Sequence, residues 1–187
     1  MRKETIGLTD GLKLTGAERR QQLLAWLKES EAPLTGSELA KRASVSRQVI
    51  VQDISLLKAK NEPIIATSQG YMYLRSALGK KQPVQRIIAC DHEPEKTEEE
   101  LNLIVDFGVT VKDVTIEHPV YGDLTASIRV STRKEVADFV KKISSTNAAY
   151  LSQLTNGIHL HTLEADDEEK IEQACGALQK AGILIPE

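Results

Sequence analysis

The strongest constraint on this chain is where its helices must begin. Thr15-Gly16-Ala17-Glu18, Thr35-Gly36-Ser37-Glu38 and Thr97-Glu98-Glu99-Glu100 all read as capping boxes. In such a box the Thr hydroxyl accepts a backbone N–H from the first helical turn, and the Glu reaches back to the N–H of the Thr. Thr132-Arg133-Lys134-Glu135 opens a further helix, and Ser46 and Asp166 stand where caps are expected. Behind each start the apolar residues recur at intervals of three and four, so each helix has one face to bury.

The first three helices lie close together. Leu23, Leu24, Trp26 and Leu27 mark one running to about Glu29, and Leu39, Ala40 and Ala43 mark a short one from Ser37 to Arg42. After the Ser44-Val45 turn, Ile50, Ile54 and Leu57 give the buried face of a third, to about Lys60. A short helix, a tight turn and a longer helix make a helix-turn-helix. The third helix turns Arg47, Gln48, Val51, Gln52 and Ser55 outward, with Ser46 at its start. These side chains suit a major groove, where Arg reads guanine, Gln reads adenine and Val meets the thymine methyl. Ile64–Thr67 and Tyr71–Leu74 then flank Ser68-Gln69-Gly70 as a hairpin, the expected wing, with Ser68 and Gln69 at its tip as further DNA contacts. A winged helix used only for protein contacts is the alternative.

Residues 76–83 are polar and without apolar period, which sets a linker between a first domain, 1–75 with a loose arm over 1–14, and a second, 84–187. In the second, Val84–Cys90 reads as a buried strand, and the helix after Thr97 carries Leu101, Ile104 and Val105 and stops at Gly108. Val109–His118 and Asp123–Val130 are strands joined by Pro119–Gly122, and Val136, Phe139, Val140 and Ile143 line the helix after Thr132. Ala149–Leu154 and Ile158–Leu163 pair about Asn156-Gly157. The last helix, with Ile171, Ala174, Cys175 and Leu178, ends at Gly182 before a strand at Ile183–Ile185. The order β-α-β-β-α-β-β-α-β predicts an α+β domain with helices packed on a mixed, largely antiparallel sheet.

Charge divides along the same line. Residues 1–83 hold 14 Lys/Arg against 8 Asp/Glu, whereas 84–187 hold 10 against 19 and all four histidines. A basic front suits a polyanion, and an acidic, histidine-bearing back suits a cation or small ligand. Two cysteines do not make a disulfide framework, and neither a signal peptide nor an apolar run of about 18 residues is evident, so a cytoplasmic protein without a membrane partner is expected.

The histidines carry the chemistry. On a strand, His159 and His161 leave the same face. His92 follows the first strand of the domain, and Glu100 lies eight residues on, either as a capping partner or as a ligand. Three imidazoles and a carboxylate suit Zn²⁺, Ni²⁺, Co²⁺ or Fe²⁺. Cys90 is read as a buried strand residue outside that set. His118, in Glu117-His118-Pro119-Val120-Tyr121-Gly122, is either a turn histidine satisfied by backbone or, with Tyr121, part of an effector pocket or its support. There is no His-Glu-x-x-His, no glycine-rich phosphate loop and no Ser-His-Asp order, which argues against an enzyme.

Thr35–Ala40 together with Val45–Ile54 resembles the winged helix at the front of the biotin-operon repressor and related regulators. Asp91-His92-Glu93-Pro94, Glu117–Gly122 and Asn156–Thr162 together resemble the regulatory domain named for three histidines. Joined, they resemble the NiaR family of nicotinate-responsive repressors of NAD biosynthesis and niacin uptake genes. The resemblance implies that His92, Glu100, His159 and His161 match the family's metal ligands, with nickel or zinc as the ion. It also implies nicotinate as corepressor, a homodimer, and a double-stranded DNA operator as partner. A regulator for which the metal is itself the signal, and a small metal-dependent hydrolase with a DNA-binding appendage, are the competing readings.

Overall fold

A computed structural model describes residues 14–74 and 83–186. The expected arm, apart from Leu14, and the expected linker, apart from Pro83, lie outside the described residues.

The front of the chain is three helices and a hairpin: α1 (Gly16–Glu29), α2 (Gly36–Arg42), α3 (Arg47–Ala59), β1 (Ile64–Thr67) and β2 (Gly70–Tyr73). Both Thr-x-x-Glu boxes form here, with the Thr15 and Thr35 N–H groups donating to Glu18 and Glu38 at 2.9 and 2.8 Å. Leu23, Leu27, Leu39, Ile50, Ile54 and Leu57 meet in one core, as their spacing requires. Asp53 is buried on the inner side of α3, and Arg19 and Arg20 of α1 neutralise it, which pins α3 to α1. The hairpin is tied to the helices by paired backbone bonds between Leu34 and Tyr71. At Gly70 (φ +146°) a Cβ would stand 2.5 Å from the Leu34 carbonyl oxygen, so only glycine lets the two segments approach this closely.

The second domain runs β3 (Val84–Asp91), α4 (Thr97–Val105), β4 (Thr110–His118), β5 (Gly122–Val130), α5 (Arg133–Thr146), β6 (Ile158–Ala165) and α6 (Glu168–Lys180). Its sheet has the order β3-β6-β4-β5, and every pairing is antiparallel, so the fold is α+β as the element order predicts. Ile88, Cys90, Val111, Ile128, Val130, Leu163 and Ala165 face the helices and form the core with Leu101, Ile104, Val136, Ile171 and Leu178. No helix among the described residues is long and apolar enough to cross a membrane.

Local signals mislead in four places. Thr97 does not cap α4: Lys96 holds the cap position after a 3₁₀ turn over Pro94–Lys96, and Glu100 turns inward. Ala149–Leu154 is no strand. Gln153 accepts the Tyr150 N–H, a 3₁₀ turn covers Leu151–Thr155, and Asn156 ends it in the left-handed region. Asp167, not Asp166, caps α6, because its carboxylate is the one that accepts the Glu169 N–H; Asp166 instead pairs with Lys170. Ile183–Ile185 adds only a bridge at Leu184, which nevertheless covers the β3 edge of the sheet.

The two domains touch. β5 is the opposite edge strand, and between Val130 and Ser127 it carries two residues against one on β4, a bulge with Arg129 at φ 49°. The β1–β2 hairpin covers that edge: Ser68 donates to the Ile128 carbonyl, Gln69 donates to the Arg129 carbonyl at 2.7 Å, and Lys142 of α5 donates to the Ser68 carbonyl.

Candidate metal centre and nucleic-acid interface

In β6 the alternation of the strand sends His159 and His161 inward and leaves Ile158 and Leu160 on the open face of the sheet. The turn before it uses Gly157 at φ +103°, where a Cβ would stand 2.8 Å from both the His92 carbonyl oxygen and the Asp91 carboxylate. This close approach brings the end of β3, and with it His92, against the start of β6.

α4 completes the arrangement from above. Glu100 is 1% exposed and its carboxylate meets all three imidazoles. Oε2 is 2.9 Å from Nε2 of His92 and 3.3 Å from Nε2 of His161, and Oε1 is 3.1 Å from Nε2 of His159. The other nitrogen of each ring is committed elsewhere: Nδ1 of His92 donates to the Glu93 carbonyl (2.8 Å), that of His159 to the Gly157 carbonyl (2.7 Å) and that of His161 to the Asp113 carbonyl (2.7 Å). Carbonyls only accept, so each Nδ1 carries the proton and each Nε2 turns a lone pair toward the carboxylate when the ring is neutral.

That leaves a shortage of positive charge. Neutral rings would oppose lone pairs to the carboxylate, and three imidazoliums would crowd around one negative charge in a dry interior. His161 Nε2 makes no hydrogen bond at all. Burial opposes the charged carboxylate, yet the imidazoles, His161 first, hold Glu100 well below the usual carboxylate range. Burial also works against charge on His92 and His161, but Glu100 outweighs it and raises both. A divalent cation would resolve the conflict, since it can take imidazole lone pairs and a carboxylate oxygen together. The borderline donor set suits a transition ion, and the Nδ1 bonds orient each ring for it.

Cys90, read from the sequence as outside this set, faces the same point. It pairs across the strands with His159, and its Sγ lies with donor atoms of Glu100 and His159 within 4.8 Å of one another. Burial and the Glu100 charge push its thiol far up. Alternation alone offered a hint, because Cys90 shares the inward face of β3 with Ile88.

Beside the cluster lies a cavity of ≈170 Å³. Glu100, His159 and His161 stand on one side of it, Val114, Ala126, Ile128 and Phe139 supply apolar wall, and Tyr150 and Thr97 are at its margin. Thr97 Oγ1 is buried without a partner, one of three such side-chain atoms among the described residues. His118 and Tyr121 are not in this cavity. The β4–β5 turn folds His118 Nδ1 back onto the N–H groups of Val120 and Tyr121, and Tyr121 is 74% exposed. His118 is thus the backbone-satisfied turn histidine of the two sequence readings.

On the front domain Arg47, Gln48, Val51, Gln52 and Ser55 are all exposed at helical spacing on one face of α3. Ser46 spends its hydroxyl on the Val49 N–H as the cap, and Ser55 bonds back to the Val51 carbonyl. Ser68 and Gln69, expected to contact DNA, are instead taken by β5, whose bulged carbonyls needed donors.

The 3H-domain family model matches residues 85–187, and an HTH-domain model matches residues 19–72. The chain is 74% identical over 178 residues to the transcription repressor NadR of Bacillus subtilis (strain 168), covering 95% of this chain and 99% of that protein. It is 42% identical over 176 residues to the probable transcription repressor NiaR of Thermotoga maritima (strain ATCC 43589 / DSM 3109 / JCM 10099 / NBRC 100826 / MSB8), covering 94% and 98%.

Proposed function

The chain belongs to the family of transcription repressors that joins an HTH domain to a 3H domain, and on that premise we propose that nicotinate is its corepressor and that its targets are NAD biosynthesis and niacin uptake genes. It is a DNA-binding repressor and not an enzyme. In this reading His92, Glu100, His159 and His161 hold a nickel or zinc ion, and a homodimer presents two α3 helices to half-sites about one duplex turn, ~34 Å, apart. His118 and Tyr121, at the β4–β5 turn, are not needed in this reading, since neither lines the cavity.

The observation that carries the effector reading is the junction of charge and apolar wall. The cavity, at ≈170 Å³, is smaller than the ~300–1,000 Å³ sites of drug-sized ligands and suits one planar ring. A ring bearing a carboxylate needs positive charge and a donor at one end and apolar contact at the other. The ion would supply the charge, Thr97 Oγ1 has no other partner, and Val114, Ala126, Ile128 and Phe139 would cover the ring. The neutral amide of the same ring gains less from a cation, so nicotinamide is the discriminating control.

The test uses a duplex selected from a random pool with the wild-type protein. Anisotropy should report tighter binding with nicotinate and a weaker response to nicotinamide. Replacing His159 and His161 together with Ala should abolish the response and leave weak, salt-sensitive DNA binding through the front domain. Affinity that ignores nicotinate up to about millimolar, a concentration at which even a ~4 kcal/mol interaction half-saturates, would sink this reading. Affinity that follows free metal at fixed nicotinate would make the metal the signal.

A further inference from the structure

Ser68 and Gln69 stand at the tip of a hairpin whose position in a winged helix belongs to DNA, yet their side chains are spent inside the molecule. Ser68 donates to the Ile128 carbonyl, and Gln69 donates to the Arg129 carbonyl and reaches the Glu135 carboxylate. Lys142 closes the contact from α5 through the Ser68 carbonyl. The two β5 carbonyls are available because the bulge removes Ile128 and Arg129 from the ladder with β4, and because β5 is an edge. Arg129 keeps a left-handed backbone to present them, a conformation that costs a non-glycine residue free energy.

The same segment forms the effector cavity. Ala126, Ile128 and Phe139 line that cavity, and they also line the groove on the other side, against Ile65, Ala66, Thr67 and Ser68 of the hairpin. A small molecule in the cavity and the hairpin would therefore have Ala126, Ile128 and Phe139 as common neighbours. The hairpin cannot move alone. The Leu34–Tyr71 backbone bonds and the close approach at Gly70 join it to the helices, and Lys58 of α3 borders the same groove.

We infer that the β1–β2 hairpin is an intramolecular docking element, by which the regulatory domain grips the DNA-binding domain, and that the shared wall of Ala126, Ile128 and Phe139 transmits occupancy of the cavity to α3. This rests on the proposal that the cavity takes the effector. A ligand shifts a two-state equilibrium only by its differential affinity for the two states. Here the difference lies in the wall: with the hairpin seated, Ile128 and Phe139 are backed by protein, and with it released they face solvent. A filled cavity therefore favours the seated hairpin and one fixed orientation of α3.

Ser68→Ala with Gln69→Ala removes two of the three bonds of the grip and spares the turn, because Thr67 Oγ1 itself holds the Gln69 and Gly70 N–H groups. Lys142→Ala, added to that pair, removes the third from the other side. Operator anisotropy with and without nicotinate, and calorimetry with nicotinate, are to be run on wild type and both variants. In wild type nicotinate should tighten operator binding by ~5–150-fold, the usual span of coupling between two sites, and in the variants the gain should fall to about twofold or less. Nicotinate should still bind the variants, and their operator affinity without nicotinate should equal that of wild type. A variant with the full gain overturns this inference alone. So does one whose basal affinity falls with its gain intact, which would return the hairpin to DNA. A wild type that neither binds nor answers to nicotinate overturns the effector reading, and this inference with it.

Discussion

Glu100 is the residue on which the regulatory domain turns, because one buried carboxylate serves three rings. Its surroundings make a pH prediction with opposite signs for stripped and loaded protein. In stripped protein burial pulls His92 and His161 down, but Glu100 outweighs it, so both lie above the usual value of 6.5. A raised folded pKa contributes stability that is complete below the unfolded value and is lost as pH rises through the folded one. Glu100 lies well below 4.5, so its contribution is present above that value and is lost as pH falls through its folded pKa. Stripped protein should therefore be most stable between roughly pH 4.5 and 6.5 and lose melting temperature on the alkaline side. Bound metal competes with protons for Nε2, so loaded protein should hold or gain melting temperature over the same rise. Melts with and without chelator at about pH 6 and about pH 8 check this, and a gap that narrows as pH rises contradicts it.

Among the helices, α4 stands apart from α5 in how it begins. Thr132 and Glu135 form the full box, and Glu135 accepts the N–H groups of Ser131 and Thr132 at 2.8 and 3.1 Å. Thr97 is spaced identically from Glu100, but its hydroxyl has no partner. Thr132→Ala should thus cost ~1 kcal/mol in urea unfolding, the usual worth of a lost Thr cap. Thr97→Ala should be near neutral, within about 0.5 kcal/mol, because it removes a buried hydroxyl already unsatisfied. Equal losses would mean that the Thr97 box forms after all. On the cavity side Thr97→Ala should weaken nicotinate, which separates its role in binding from any role in folding. The four Thr-x-x-Glu tetrads look alike in the sequence, and the one that fails to cap is the one whose Glu was recruited to the histidines.

At the scale of the whole molecule, the HTH domain at the front reads DNA, and the proposed response to effector belongs to the 3H domain behind it. Arg47→Ala, on the exposed face of α3, should cost ~1–3 kcal/mol in operator affinity and relax specificity at one base pair, while the fold gain from nicotinate stays unchanged. Competition with single-position operator variants measures the first and paired anisotropy titrations the second. A loss of response in that variant would place α3 inside the coupling rather than at its end. The α-helices of the described residues, most of their starts, their buried faces and the candidacy of His92, Glu100, His159 and His161 as ligands were legible in the linear chain, whereas the Thr97 and Asp166 caps and a strand over Ala149–Leu154 were misread. What was legible rests on short-range rules of capping and periodicity, or on motifs that travel together. The choice between cap and cluster for Glu100 was not legible, because its competing partner His159 is 59 residues away and becomes a neighbour only when β3 and β6 pair. The partners of Ser68 and Gln69 are 60 residues away, and the bulge that frees the Ile128 and Arg129 carbonyls exists only in the assembled sheet. The chain alone therefore determined which segments become helix and strand and which residues can ligate. Only the closed tertiary structure decided which of two satisfied local geometries each polar side chain gave up, because that depends on partners brought near by packing rather than by spacing.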